Sequence, residues 1–340
     1  AEDAIVSLLP EPGWQVEGLD LTATPEADLP TGYRPEFDPL DPPAPALVIR
    51  SRWQGIEIED RVELDRVPVL LPERGVELND AKAVLNAEAG RKELEIRFSD
   101  VRPAGGEVSL EVPSGWSVRT DSAGLSLKIP DDATHGLYQL PVLIDGEHAH
   151  SIRRIDYKHI RPTARAFATK LSVRVLTVAV PKVRVGYIGG GNDRVAHWLS
   201  AIGADVTDLS GQELDAERLS SFDSLMIGIF AMKFAPELGS GLDAIHDWTR
   251  SGGTLVTLYH RPWDNWDPEQ TPPLPLEIGQ PSLRWRVTNE RAKVTHLVPD
   301  HPLLTTPNPI GPDTWEGWAK ERGLYFAKSW DPAYVPLVEM

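Results

Sequence analysis

The chain has no cysteine among its 340 residues. Disulfides, thiolate metal centres and cysteine nucleophiles are therefore excluded. Positive charge is also scarce: 34 Lys and Arg stand against 51 Asp and Glu, a formal net charge of −17. A nucleic-acid backbone would be repelled unless a local basic patch overcame that field. The densest basic stretch, Arg153 to Lys170, alternates with apolar residues as a solvated strand face does. No nucleic-acid partner is expected. No apolar run approaches the roughly 18 residues of a membrane span, so no span is expected either. The start AEDAIVSLL has neither Met nor a basic n-region, as in a mature or truncated product. The acidic, cysteine-free composition leads us to expect a bacterial periplasmic or extracellular location.

What is present is a globular composition and a length sufficient for two or three domains. Residues 1–75 are expected to form a Pro-rich segment and a partial β-sandwich, because PEFDPLDPPAPA (35–46) cannot be a helix or a central strand. After it, ALVIRSRW and IEIEDRVELDRVPVLL read as strands, with Ile56, Ile58, Val62, Leu64 and Val67 in alternation about a turn near Glu59–Asp60. Residues 76–162 form a second β-sandwich: short, evenly spaced strands separated by Gly, Pro, Asp and Asn turns. In ELEIRF, Leu94, Ile96 and Phe98 share a face, as do Val108, Leu110 and Val112 in EVSLEV. Residues 163–182 read as one long connecting strand.

Residues 183–340 are read as a flavodoxin-like open parallel α/β sheet, so the fold class is multidomain β plus α/β. VRVGYIGG, ADVTDLS, SLMIGIFA and GTLVTLYH are its strands. A helix over 193–202 places Val195, Trp198, Leu199 and Ile202 on one face, with Asn192 or Asp193 as N-cap and Gly203 as stop. A second helix buries Leu238, Leu242 and Ile245 and ends at Gly252–Gly253. A last helix is expected from Asp313, with Glu316 completing a capping box and Gly323 ending it. Trp315 and Trp318 would dock it.

An open α/β sheet takes ligands at its strand ends, so candidate ligand-binding residues are sought there. Gly190, Gly191, Asn192 and Asp193 lie where backbone N–H groups meet an anion. A dinucleotide fingerprint fits Gly189 and Gly191 but fails at Arg194, where a third glycine is needed; Asp208 would mimic the ribose-binding acid. The other reading is a glycine turn that starts the helix. His260, Trp263, Asp264 and Trp266 follow the fourth strand in HRPWDNWDPEQTPP. Trp faces with carboxylate and amide acceptors suit a sugar, and a Pro/Trp-stiffened loop packed on the sheet suits the same residues. His148, His150 and His159 read as ordinary strand histidines rather than metal ligands. No catalytic and no metal-ligating residue is assigned.

The order strand, glycine turn, helix, GADVTDL, SSFDSLMIGIFA and SGGTLVTLYH resembles the class I glutamine amidotransferase-like domain. Active members of that group carry a Cys on a strained turn after the fourth strand. Here that turn falls near Tyr259, His260 and Arg261, which form no thioester. RRIDYKHIRP, VPKVRVGYIGGGND, SSFDSLMIG and VPDHPLLTTPNPIGPDTWEGWAKERGLYFAKSWDPAYVPLVEM resemble the C-terminal half of large bacterial PIG-L/LmbE-like deacetylases. The resemblance covers 150–340 well and 40–150 more weakly. It implies an accessory region, structural or glycan-binding, of a zinc-dependent N-acetylglucosaminyl deacetylase. The family's catalytic domain would be the partner, in cis or on another chain. Zinc is implied only for that domain, whose His-Pro-Asp-Asp motif has no match here: His301-Pro302 is followed by Leu303-Leu304. No cofactor is expected in this chain. YVPLVEM stops mid-strand, so the α/β domain is expected to be C-terminally truncated. Two alternatives remain, a stand-alone carbohydrate-binding protein and a hydrolase using Gly189–Asp193 and His260.

Overall fold

The computed structural model describes residues 3–9, 14–17, 22–25, 46–62, 72–121, 124–155, 157–159, 163–317 and 323–340. The Pro-rich stretch up to residue 45, Leu64, Val67 and Trp318 lie outside them. The chain divides into two compact units. One holds Ala1–Ala83, Glu93–Pro130 and Leu137–Val173; the other holds Val84–Lys92, Asp131–Gly136 and Arg174–Met340.

The first unit is built of small, mostly antiparallel sheets. Strand Gly136–Ile144 has the period expected of a half-buried strand: Leu140, Val142 and Ile144 are buried and their neighbours are not. Three local expectations are corrected. Ala46–Trp53 and Ile56–Val62 pair as a hairpin whose turn is Gln54–Gly55, both at positive φ, not Glu59–Asp60. A two-residue loop of that geometry matches strand twist, and it leaves Ile56, Ile58 and Val62 exposed. ELEIRF breaks at Arg97: Glu93–Ile96 pairs with Gly124–Lys128, whereas Phe98–Arg102 pairs with Gly75–Leu78 in another sheet. The stretch 163–182 is not one strand, because it breaks at Thr169 into Thr163–Ala168 and Lys170–Leu176, which belong to different sheets.

The second unit carries a four-stranded parallel sheet of β1 (Arg184–Ile188), β2 (Asp205–Asp208), β3 (Ser224–Ile227) and β4 (Thr254–Thr257), in the order β2-β1-β3-β4. Val185 to Ile188 are all buried, which is why β1 reads as a continuous apolar run. Helix α1 (Val195–Ile202) follows β1 and ends at left-handed Gly203, whose N–H returns to Leu199 and Ser200. Its expected apolar face is half-buried throughout. Helix α2 (Ala216–Leu219) is capped by Asp215, and α3 (Ala231–Phe234) follows β3. Helix α4 (Pro236–Arg250) buries Leu238, Gly241 and Ile245 at helical spacing. Leu238 and Ile245 form the core with Leu209, Leu219, Leu225 and Ile188, and Leu242 and Trp248 pack on it.

Beyond β4 lie two short antiparallel pairs: β5 (Leu276–Ile278) with β7 (Ala327–Trp330), and β6 (Thr295–His296) with β8 (Val338–Glu339). His301 caps α5 (Pro302–Thr305) by accepting the Leu303 N–H. The capping-box helix is absent among the described residues. A 3-10 turn covers Pro312–Trp315, Glu316 is extended, and Gly317 has positive φ. The Trp315 indole donates to His296 Nε2 at 2.8 Å.

Candidate functional site

The turn after β1 is filled by the chain itself. Asp193 Oδ1 accepts the Tyr187 hydroxyl at 2.6 Å and the Val195 N–H at 2.9 Å. Its Oδ2 accepts the Ile229 N–H, from the turn after β3, at 2.8 Å. The N-cap is Arg194 rather than Asn192 or Asp193, and Asp193, one residue earlier, takes the N–H of the first helical residue instead. Burial alone would raise the Asp193 pKa, but these three hydrogen bonds outweigh it and hold it below the usual carboxylate range. Burial, followed by the bond to Asp193, pushes the Tyr187 phenol up, so it stays a donor.

The glycines serve this arrangement. A Cβ on Gly189 would lie 2.7 Å from the Tyr187 ring, and one on Gly190 would lie 3.0 Å from the Ile229 carbonyl. Gly228 is as tight as Gly189: its Cβ would stand 2.7 Å from Tyr187 Oη and 2.8 Å from Asp193 Oδ2. Gly228→Ala is therefore expected to cost about 1–3 kcal/mol through overpacking. Tyr187→Phe should recover part of that loss in the double variant, as measured by urea denaturation. Gly191 and Asn192 are exposed, and Asn192 Nδ2 bonds back to the Gly190 carbonyl at 2.7 Å. Asp208 accepts the Ser210 N–H.

The turn between β3 and α3 places Phe230 in the left-handed region at φ 58°. This is the strained strand-turn-helix residue of the unit, whereas the sequence places such a turn near Tyr259–Arg261. It is held from both sides. Ile229 N–H goes to Asp193, Met232 N–H reaches His260 Nε2 at 3.2 Å, and Asn265 Nδ2 reaches the Met232 carbonyl at 3.0 Å. His260 is buried, and its Nδ1 lies 2.7 Å from the Leu258 carbonyl. An Nε2 that accepts and an Nδ1 that donates define the neutral imidazole. Burial lowers its pKa further. Both nitrogens are committed to backbone groups.

Asp264 is fully buried and bound by Arg261 in a fork: Nη2 to Oδ1 at 2.7 Å and Nε to Oδ2 at 2.9 Å, with the Arg261 N–H adding a bond at 2.8 Å. Against the opposing effect of burial, the guanidinium holds the carboxyl below its usual range. The fork aims Arg261 across the Phe230 ring at 4.0 Å and beside Trp263 at 5.6 Å. Trp263 is 49% exposed and meets Tyr325 edge-on at 4.8 Å. Trp266 is half-buried and donates its indole N–H to the Leu276 carbonyl at 3.0 Å.

Trp266 and Tyr325 border a cavity of about 660 Å³, between the β4 strand and the β5–β7 pair. Thr257, Tyr259, Trp266, Ile278, Tyr325 and Phe326 are among its walls. Strand β4 ends its sheet. Thr254 and Leu258 donate inward to Asp223 and Ile227. In a parallel ladder the backbone groups of Leu255 and Thr257 therefore face the open edge and the cavity. Burial, and then the neighbouring Tyr325, raise the Tyr259 pKa, so its phenol stays neutral.

The eight candidate residues thus form two groups joined by the β3–α3 turn. Asp193, His260 and Asp264 are spent on internal bonds; His260 and Trp266 line the cavity, and Trp263 stands outside its walls against Tyr325. Tyr187, Phe230 and Tyr325 carry no obvious sequence signal, although a Tyr between glycines in an apolar strand is a hint. Among the described residues no group of three His, Asp or Glu is placed to hold a metal ion. His301, the only part of a zinc motif visible in the sequence, uses its Nδ1 to cap α5. These residues do not fit zinc. Among the described residues no helix is long and apolar enough to cross a membrane. The chain matches no known family model, and no curated protein matches it.

Proposed function

We propose that this chain is an accessory, glycan-binding region of a PIG-L/LmbE-type N-acetylglucosaminyl deacetylase, with the reaction carried out by a separate catalytic domain. The observation that supports this reading is the aromatic cavity at the open edge of β4. A sugar presents an apolar ring face and a rim of hydroxyls. Tyr259, Trp266 and Tyr325 on its walls supply ring faces, and exposed Trp263, edge-on to Tyr325, adds one more beside them. The Thr257 and tyrosine hydroxyls, with the edge amides of Leu255 and Thr257, supply donors and acceptors. The strand order β2-β1-β3-β4 agrees with a flavodoxin-like domain whose ligand surface has moved from the strand ends to the sheet edge.

A broad glycan array probed with the intact chain, followed by calorimetry on the hits, tests the proposal. Trp263→Ala should weaken binding at least tenfold, about 1.4 kcal/mol, and Tyr259→Phe by a smaller factor. Absence of binding across the array, or binding indifferent to Trp263→Ala, would sink the glycan reading. Binding that persists without any association with a catalytic domain would favour a stand-alone carbohydrate-binding protein.

A further inference from the structure

We propose that Asp193 is a carboxylate latch that closes the crevice between β1 and β3 by occupying it in place of an external carboxylate ligand. This inference is independent of the glycan reading, because it concerns the opposite side of β3 from the cavity strand.

The crevice lies at the switch in strand order, where β1 has β2 on one side and β3 on the other. At such a point the two following turns diverge and leave room for a ligand. Here one side chain spans them. Three donors converge on the carboxylate from three places in the chain: the Tyr187 hydroxyl on β1, the Val195 N–H at the start of α1, and the Ile229 N–H after β3. A local cap needs only the second of these. The first and third join one turn to the other, and Gly190 and Gly228 let the turns approach closely enough for both bonds. Tyr187 is 6% exposed, so its hydroxyl depends on this partner. Being tethered, Asp193 acts at a high effective concentration and excludes competing anions.

Cutting the latch should leave those donors able to take a carboxylate from solution. Formate is the matching probe for Asp193→Ala, because it replaces the deleted group and adds nothing. Amide hydrogen exchange reads the two turns directly. In Asp193→Ala the Val195 and Ile229 amides should exchange at least about tenfold faster than in the wild type. Formate at about 100 mM should restore much of that protection, by linkage, whereas chloride at equal ionic strength should not. Wild-type protection should be indifferent to formate. Unchanged exchange at both amides in Asp193→Ala, or formate protecting wild type and variant alike, would overturn the latch. Should the alanine variant not fold, Asp193→Asn keeps the shape and one acceptor. It should lose protection at one or both amides, and full protection at both would refute the proposal.

Discussion

Arg261→Ala is expected to destabilise the α/β unit by about 3–5 kcal/mol, the range for removing one member of a buried ion pair. Asp264 has no exposure, and its fork to Arg261 supplies most of its hydrogen bonds. Without the guanidinium a fully buried carboxylate is left without its charged partner. Arg261 is itself 25% exposed at the side chain, so the lower end of the range is expected. The double variant Arg261→Ala/Asp264→Ala should recover part of the loss, since no charge is then stranded. Urea denaturation followed by tryptophan emission measures this well, because eight of the 11 Trp residues lie beyond residue 190. A loss below about 1 kcal/mol, the scale of a surface pair, would mean that Arg261 does not sustain the loop.

The pH dependence supplies a sign that packing loss alone would not produce. In the wild type the Asp264 pKa is depressed on folding. Its contribution is present above the unfolded aspartate value of about 3.9 and is lost as pH falls through the lower folded value. Asp193 contributes in the same sense. In Arg261→Ala the burial that opposes ionisation acts unopposed, and the Asp264 pKa should rise above its unfolded value. The variant should then regain stability as pH falls from neutrality towards that value, opposite to its parent.

The sequence makes the parallel sheet legible because buried strands need unbroken apolar runs and α4 repeats its apolar residues at helical spacing. It does not reveal what the glycine turn is for. Gly189, Gly190 and a nearby Asp look alike whether they cradle a phosphate or pack around a tyrosine. The deciding partner, the Ile229 amide, is 36 residues from Asp193. His260 and Asp264 stand out in the sequence as polar residues at a strand end. Their commitment to Met232, Leu258 and Arg261 depends on where the β3–α3 turn lies. Trp263 and Trp266 are equivalent in sequence, yet one is exposed and the other is pinned by the Leu276 carbonyl. The cavity itself needs Tyr325 and Phe326, which reach β4 only through the pairing of β7 with β5. The misplaced hairpin turn at Glu59–Asp60 has a simpler cause. Gln54–Gly55 is a weaker turn signal than Asn-Gly or Asp-Gly, and only backbone geometry identifies it.

Leu225→Ala should lower the stability of the same unit by about 2–5 kcal/mol, for a reason unrelated to charge. Leu225 is fully buried in β3, which has strands on both sides, and it belongs to the cluster of Ile188, Leu209, Leu219, Leu238 and Ile245. Its methyl lies against Gly186 of β1, where an added Cβ would be 3.2 Å away. The rigid sheet therefore has little freedom to collapse into the space left by alanine, and the cost should fall in the upper half of the range. Tryptophan-detected urea curves should show a lower midpoint with an unchanged slope. At low denaturant the variant should retain whatever ligand affinity the wild type has, because the Leu225 side chain packs in the buried cluster and is not among the cavity walls. That contrast separates the two kinds of residue: Trp263→Ala should weaken binding with little loss of stability, and Leu225→Ala should do the reverse. Equal losses of binding in the two variants would place the ligand at the closed strand ends rather than at the sheet edge.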